Sequence, residues 1–149
     1  MANVLILDDE PITLRRLFNV LSKDRQHKLW TADNLVEGVR VVEKLGSTLD
    51  LLVIDVSMFQ TSAIELLDLF ASACPHAKVL AVSPTRQVPF EKGYSVLRKP
   101  FTDKDLLAAV NRDLALTHEA VAAHELSRKR AHQSSCLDGR SVRVRAATQ

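Results

Sequence analysis

Only two cysteines, Cys74 and Cys136, occur in the chain, and they lie far apart with no CxxC or Cys/His spacing. That excludes both a disulfide framework and a zinc site. Long apolar runs are missing as well. The run nearest the start, Val4 to Leu7, ends in Asp8-Asp9-Glu10, and nothing approaches the length of a membrane-spanning helix. Met1 is followed by neither the basic nor the apolar region of a signal peptide, so a cytoplasmic protein is expected. Length sets a further limit: 149 residues, 46% of them hydrophobic, suit one domain with an ordinary core plus a tail, not two sizeable domains.

The formal charge of +2 conceals a division along the chain. Residues 126–149 hold Arg128, Lys129, Arg130, Arg140, Arg143 and Arg145 against Asp138 alone, whereas the preceding residues hold 14 basic and 17 acidic side chains. An acidic globular part followed by a basic tail is the simplest description. The tail has no aromatic residue and there is no room for a conventional DNA-binding domain, so nucleic acid is not an expected partner.

Val4-Leu5-Ile6-Leu7 is a short apolar run bounded by acids, the pattern of a strand buried on both faces. Pro11 fits a first helical turn, and Leu14, Leu17, Phe18 and Leu21 follow at helical spacing to about Lys23. Lys28 to Thr31 is a short strand. Asn34 caps a helix containing Leu35, Val39, Val42 and Leu45, and Gly46 lies where it should stop. Leu51-Leu52-Val53-Ile54 repeats the buried-strand pattern and again ends in an acid, Asp55. A helix over Ser62 to Ser72 with Ile64, Leu67 and Phe70 inward, a strand Val79 to Val82, a short strand Val96-Leu97 and a helix from Asp103 to about Arg130 complete the pattern.

Alternating strands and helices imply right-handed crossovers and an α/β fold, a doubly wound parallel sheet of five strands with helices on both faces. Only twelve residues, Pro84 to Ser95, separate the fourth strand from the fifth. A helix of about 10 to 14 residues with two connections does not fit there, and Pro84, Pro89 and Gly93 disfavour one. The fourth helix is therefore expected to be absent or reduced to a single turn.

In such sheets functional groups gather outside the carboxyl ends of the strands. Asp8 and Asp9 follow strand one, Asp55 ends strand three, Ser83 follows strand four and Lys99 follows strand five. Each is ordinary by itself: Asp8-Asp9 as a helix cap, Ser83 as a turn residue, Lys99 as a solvated cation. Together they point to one chemistry. Three carboxylates at one edge call for a cation, and Mg²⁺ takes one or two carboxylates together with waters and a phosphate oxygen. Asp55 could then act as nucleophile toward a phosphoryl group, with Lys99 neutralising its oxygens and Ser83 and the amides of Val56 and Ser57 donating to them.

At this point the chain resembles the receiver domain of two-component response regulators. The residues that carry the resemblance are LILDDEP (Leu5 to Pro11), VIDVSM (Val53 to Met58), AVSP (Ala81 to Pro84) and RKPF (Arg98 to Phe101), in order and at similar spacing over roughly Ala2 to Leu116. The resemblance implies a flavodoxin-like strand order 2-1-3-4-5 and a signalling module rather than an enzyme. It implies that Asp55 accepts phosphate from a histidine kinase or histidine phosphotransfer protein and passes the signal on by protein contact. It also implies that Asp9, Asp55 and the Ser57 backbone carbonyl bind Mg²⁺, with Asp8 acting through water, and that the Lys99-Pro100 bond is cis.

The chain departs from that pattern in several places. Phe59 and Ala63 replace the family's usual proline and glycine beyond the phosphoacceptor. Pro84 lacks the N–H that this position commonly donates to the phosphoryl group. Val96 stands where an aromatic residue often reports activation, with Tyr94 two positions away. These departures favour, as the alternative, an atypical receiver that acts as a phosphorylation-independent interaction module. A phosphatase with an aspartate nucleophile would need a DxD pair after its first strand, but here the acids are adjacent.

The expected organisation is a receiver domain over 1–116, a helical extension over 117–130 and a basic, flexible tail over 131–149. Val121 and Leu126 in the extension are expected to pack on a second copy, giving a homodimer, or on the face left bare by the missing helix. Trp30 is expected to serve packing, and His27, His76, His118, His124 and His132 to be solvated.

Overall fold

Unbroken apolar runs build a sheet whose two faces are both covered, and the computed structural model shows how each is covered. It describes residues 1–58, 63–84 and 94–145, with the side chains of 63–64 and 134–145 outside the description. The strands are β1 (Ala2–Leu7), β2 (His27–Ala32), β3 (Leu49–Asp55), β4 (Lys78–Ser83) and β5 (Ser95–Arg98). The helices are α1 (Pro11–Ser22), α2 (Leu35–Leu45), α3 (Ala63–Ala73) and α4 (Asp103–Arg145). The strands pair in parallel in the order β2-β1-β3-β4-β5, the flavodoxin-like order expected from the sequence.

Successive strand residues point to opposite faces, so β1, β3 and β4 feed two cores at once. Val4, Ile6, Leu51, Val53, Leu80 and Val82 pack with Leu17, Val20 and Leu21 of α1 and Leu106, Val110 and Leu114 of α4. Leu5, Leu7, Leu52, Ile54 and Val79 pack with Val42 of α2 and Leu66, Leu67 and Phe70 of α3. This double burial is why the central strands read as unbroken apolar runs.

Local chemistry sets the helix ends. Pro11 opens α1. The Asn34 side chain accepts from the Glu37 N–H at 2.9 Å, and Gly46, at φ 49°, ends α2 with its N–H on the Val42 carbonyl. Only the lack of a Cβ makes that left-handed conformation cheap. At the start of α4, Thr102 and Asp105 exchange side chain to backbone hydrogen bonds, each 3.1 Å.

Three expectations need correction. Phe18 does not join the buried face of α1: it is 38% exposed, and Val20 is buried in its place. A helical stripe predicts spacing but not which of two flanking residues falls under the neighbouring element. His27 is not solvated. Its side chain is 8% exposed, with Nε2 3.3 Å from Asn111 Oδ1 and 3.7 Å from Asp24 Oδ2. The last helix does not stop near Arg130: α4 runs on to Arg145. No proline follows Pro100, so no backbone breaker interrupts it. The expectation for a reduced fourth helix falls on residues 85–93, outside the described residues, as does Phe59.

Met1–Thr117 form one compact unit and His118–Gln149 another. In the second, Val121 is 36% exposed and Leu126 59% exposed. At roughly 100° per residue, positions five apart point to different sides of a helix, so these two residues do not share one apolar stripe. Trp30 lies half-buried on β2 with the Lys28 and Lys44 ammonium groups 5.0 and 4.9 Å from its ring centre and Nε1 donating to Asn3 Oδ1 at 3.3 Å.

Candidate functional site

Parallel pairing places the carboxyl ends of β1, β3, β4 and β5 along one edge of the sheet, and the polar residues identified from sequence gather there. Asp8 follows β1 directly, and its N–H donates to the Ala32 carbonyl at 3.2 Å, so the first acid is fixed by the neighbouring strand. Its Oδ1 accepts from the Glu10 N–H at 2.9 Å. Asp55 is the last residue of β3. Its Oδ1 accepts from the Ser57 N–H at 2.8 Å, and its Oδ2 meets the Lys99 ammonium. Lys99 is held at the backbone by its own N–H, which donates to the Ser83 carbonyl at 2.7 Å. The next peptide bond, Lys99-Pro100, is cis.

These side chains surround a cleft of about 430 Å³ lined by Asp8, Asp9, Glu10, Asp55, Val56, Ser57, Pro84 and Lys99. Asp8 and Asp55 are buried within it and Asp9 lies exposed on its rim. Ser83 is fully buried at the end of β4, where Pro84 and not Ser83 forms the cleft wall. The chain thus presents a ring without an N–H at that position.

The two buried carboxylates are driven in opposite directions. Burial pushes the Asp8 carboxyl up, and the Asp55 and Asp9 charges add to that against the Glu10 amide and the Lys99 charge. Burial also pushes Asp55 up, but the Lys99 ammonium and the Ser57 amide and hydroxyl outweigh it and hold Asp55 below the usual carboxylate range. At neutral pH Asp55 is therefore an anion with a committed partner. Asp8 has no such bonded cation: its carboxyl is pushed above the ordinary value, and its Oδ2 is buried without a hydrogen bond.

That orphaned oxygen tests whether Mg²⁺ suits the site. Among the described residues no three His, Cys, Asp or Glu side chains are grouped to hold a metal by themselves. Mg²⁺ does not need them, since it keeps several waters and takes only one or two carboxylates. Two buried carboxylates, a third on the rim and hard oxygen donors throughout fit that habit.

Two residues beyond those expected from sequence belong to the surroundings. Glu10 lines the cleft, and its Oε2 accepts from the Thr13 hydroxyl at 2.8 Å; its place directly after the acidic pair was the available signal. Arg16 of α1 donates to the Phe101 carbonyl at 2.9 Å. No local pattern could have shown a contact spanning that much of the chain.

The family model of the response regulator receiver domain matches residues 4–111. Comparison with curated protein sequences gave no match. Among solved structures, a response regulator receiver domain protein from Clostridium thermocellum superposes with a TM-score of 0.67 at 26% identity, covering 77% of this chain and 95% of that one. The receiver domain of the hybrid histidine kinase CckA superposes with a TM-score of 0.62 at 26% identity, covering 76% and 99%. The chemotaxis protein CheY4 from Vibrio cholerae, at 22% identity and TM-score 0.63 over 76% and 98%, shares the fold. With the family model spanning most of the chain and the acidic cleft at its sheet edge, this protein belongs to the response regulator receiver domain family.

Proposed function

We propose that Asp55 is the phosphoacceptor of a two-component phosphorelay, charged by a histidine kinase or histidine phosphotransfer protein. The observation that carries this reading is the pairing of a buried, ionised Asp55 with Lys99 at the floor of an open cleft. A carboxylate held ionised is a competent nucleophile. As Asp55 Oδ2 forms its bond to phosphorus, the P–N bond to the donor's histidine breaks and the imidazole leaves with that electron pair; the Lys99 ammonium loses its partner at Oδ2 and becomes free to meet the phosphoryl oxygens. The Ser57 amide keeps Oδ1 oriented, and the Ser83 hydroxyl, at the end of β4, is the next donor within that edge. Asp8, Asp9, Asp55 and the Ser57 carbonyl would hold Mg²⁺, which when bound neutralises charge on the incoming phosphoryl group. Output then passes to another protein through surface contact, and the family's kinases and relays supply the donor.

A second reading keeps the fold and drops the phosphoryl group. Pro84 on the cleft wall favours it, since one anion donor is missing there. Both readings meet in one experiment. The protein is incubated with acetyl phosphate in the presence or absence of Mg²⁺ and its intact mass is followed over time. One added phosphoryl group that requires Mg²⁺ is expected, and an unchanged mass under both conditions would leave only the phosphorylation-independent module.

A further inference from the structure

Outside the acidic cleft, one side chain reaches it through the backbone. Arg16 stands on the second turn of α1, on a helix that packs against the sheet through Leu17, Val20 and Leu21. Its Nη2 donates to the Phe101 carbonyl at 2.9 Å, its guanidinium carbon lies 4.9 Å from the centre of the Phe101 ring, and Asp103 Oδ1 pairs with Nη2 at 3.6 Å. These contacts hold the chain immediately after Lys99-Pro100. On the other side, the Lys99 N–H is bonded to Ser83 at the end of β4. Lys99 therefore lies between two anchors, one on the sheet and one on α1.

A lysine has four rotatable carbons and a side chain that is 33% exposed here, so its aim depends on how firmly its own backbone is held. Phe101 is buried among Leu106 and other core residues and would stay buried whatever stood at position 16. What the guanidinium adds is a bond to the carbonyl and a cation–π contact on the ring at the same time, and its planar, pre-organised fork loses less freedom in making both than a lysine ammonium would. We propose that Arg16 is a positioning residue: by clamping Phe101 it fixes the turn that brings the Lys99 ammonium to Asp55. The inference deepens the phosphoacceptor reading and rests on it for its consequence, while the clamp itself is readable without any phosphoryl group.

A role confined to structure would behave differently. The Arg16–Asp103 pair is half-exposed, with 50% and 55% of the two side chains accessible, and such pairs contribute little to stability. Loss of Arg16 should then leave the melting midpoint almost unchanged and have no effect at Lys99.

The test uses the full chain with Arg16→Met, which keeps the apolar stem, and Arg16→Lys, which keeps the charge. Amide hydrogen exchange at Lys99 and Phe101, and acylation of the Lys99 amine by an amine-reactive reagent mapped by peptide mass, are compared with wild type. Both should rise roughly 3- to 10-fold in Arg16→Met with little change in Tm, and Arg16→Lys should fall between. Phosphoryl uptake from acetyl phosphate with Mg²⁺ should slow by roughly the same factor. Unaltered exchange and acylation in Arg16→Met would overturn the proposal, and so would faster exchange with an unaltered uptake rate. A wild-type chain that takes up no phosphoryl group would instead sink the phosphoacceptor reading, leaving exchange and acylation to decide on the clamp. If Arg16→Met does not fold, Arg16→Lys carries the same comparison.

Discussion

Asp55→Asn is expected to end phosphoryl uptake from acetyl phosphate while leaving the fold intact. The amide oxygen can still accept the Ser57 N–H that Asp55 Oδ1 now accepts at 2.8 Å, so the turn after β3 keeps its anchor. An amide is not a nucleophile toward phosphorus under these conditions, and no neighbouring group replaces it. Asp8 is buried and short of a partner, while Asp9 is on the rim. The loss should therefore be close to complete, not the partial slowing that removal of a positioning group produces. Lys99 is part-exposed and can turn to water once the pair is lost, and the neutral amide needs no counter-charge at the buried position, so the stability change should be small. Intact mass reports the outcome, and an adduct of wild-type extent in Asp55→Asn would refute the assignment of the phosphoacceptor.

Asp8→Asn is expected to do the opposite to stability, raising Tm at neutral pH in the absence of divalent cations. Asp8 is 1% exposed, its Oδ2 has no hydrogen bond, and Asp55 and Asp9 are both negative neighbours. Its folded-state pKa lies above the ordinary value of 3.8. Below 3.8 the group is protonated in both states and costs nothing; as pH rises through the window between 3.8 and its folded value, stability falls. Above that window the cost is in full force. Asn keeps an acceptor for the Glu10 N–H and removes the buried charge beside Asp55 and Asp9, so the gain should be on the order of 1 kcal/mol. That corresponds to a few degrees in Tm.

Asp55 carries the reverse dependence. Its folded pKa is held down, so its contribution is present above 3.8 and is lost as pH falls through the lower folded value. The Asp8→Asn gain, by contrast, should vanish in acid, where the Asp8 carboxyl is protonated in both the folded and unfolded states. Added Mg²⁺ should raise the Tm of the wild type more than that of Asp8→Asn, because a cation that binds the folded state stabilises it by mass action. Melting curves across pH, with and without Mg²⁺, check both statements, and a Tm lowered at neutral pH would contradict them.

Much of this arrangement was legible from spacing alone. Unbroken apolar runs such as Val4 to Leu7 and Leu51 to Ile54 can be buried only between two helical layers, and an acid at the end of each fixes which edge is polar. Asn34 and Gly46 marked both ends of α2 by their local chemistry. Contacts that join distant segments were not legible. Arg16 on Phe101, His27 beside Asn111, and the buried Asp113 with its Oδ1 on the Ser95 hydroxyl all depend on how α4 lies on the sheet. Nor does sequence periodicity say that Asp8 is buried while Asp9 stays on the rim, since adjacent residues leaving a strand diverge by a geometry only the loop determines. The length of α4 was misjudged because a run of Arg, Lys and Ser lacks an apolar period, and composition of that kind is equally compatible with a solvated helix.

The central claim is that the phosphoryl group ends on one atom set, the carboxylate of Asp55. An acyl phosphate is reduced by borohydride to an alcohol, which marks the modified aspartate covalently as homoserine. After incubation with acetyl phosphate and Mg²⁺, borohydride treatment followed by peptide sequencing in the mass spectrometer should place homoserine at residue 55 and nowhere else. Homoserine at residue 8 or 9, or its absence from a chain that has gained phosphate, would contradict the account.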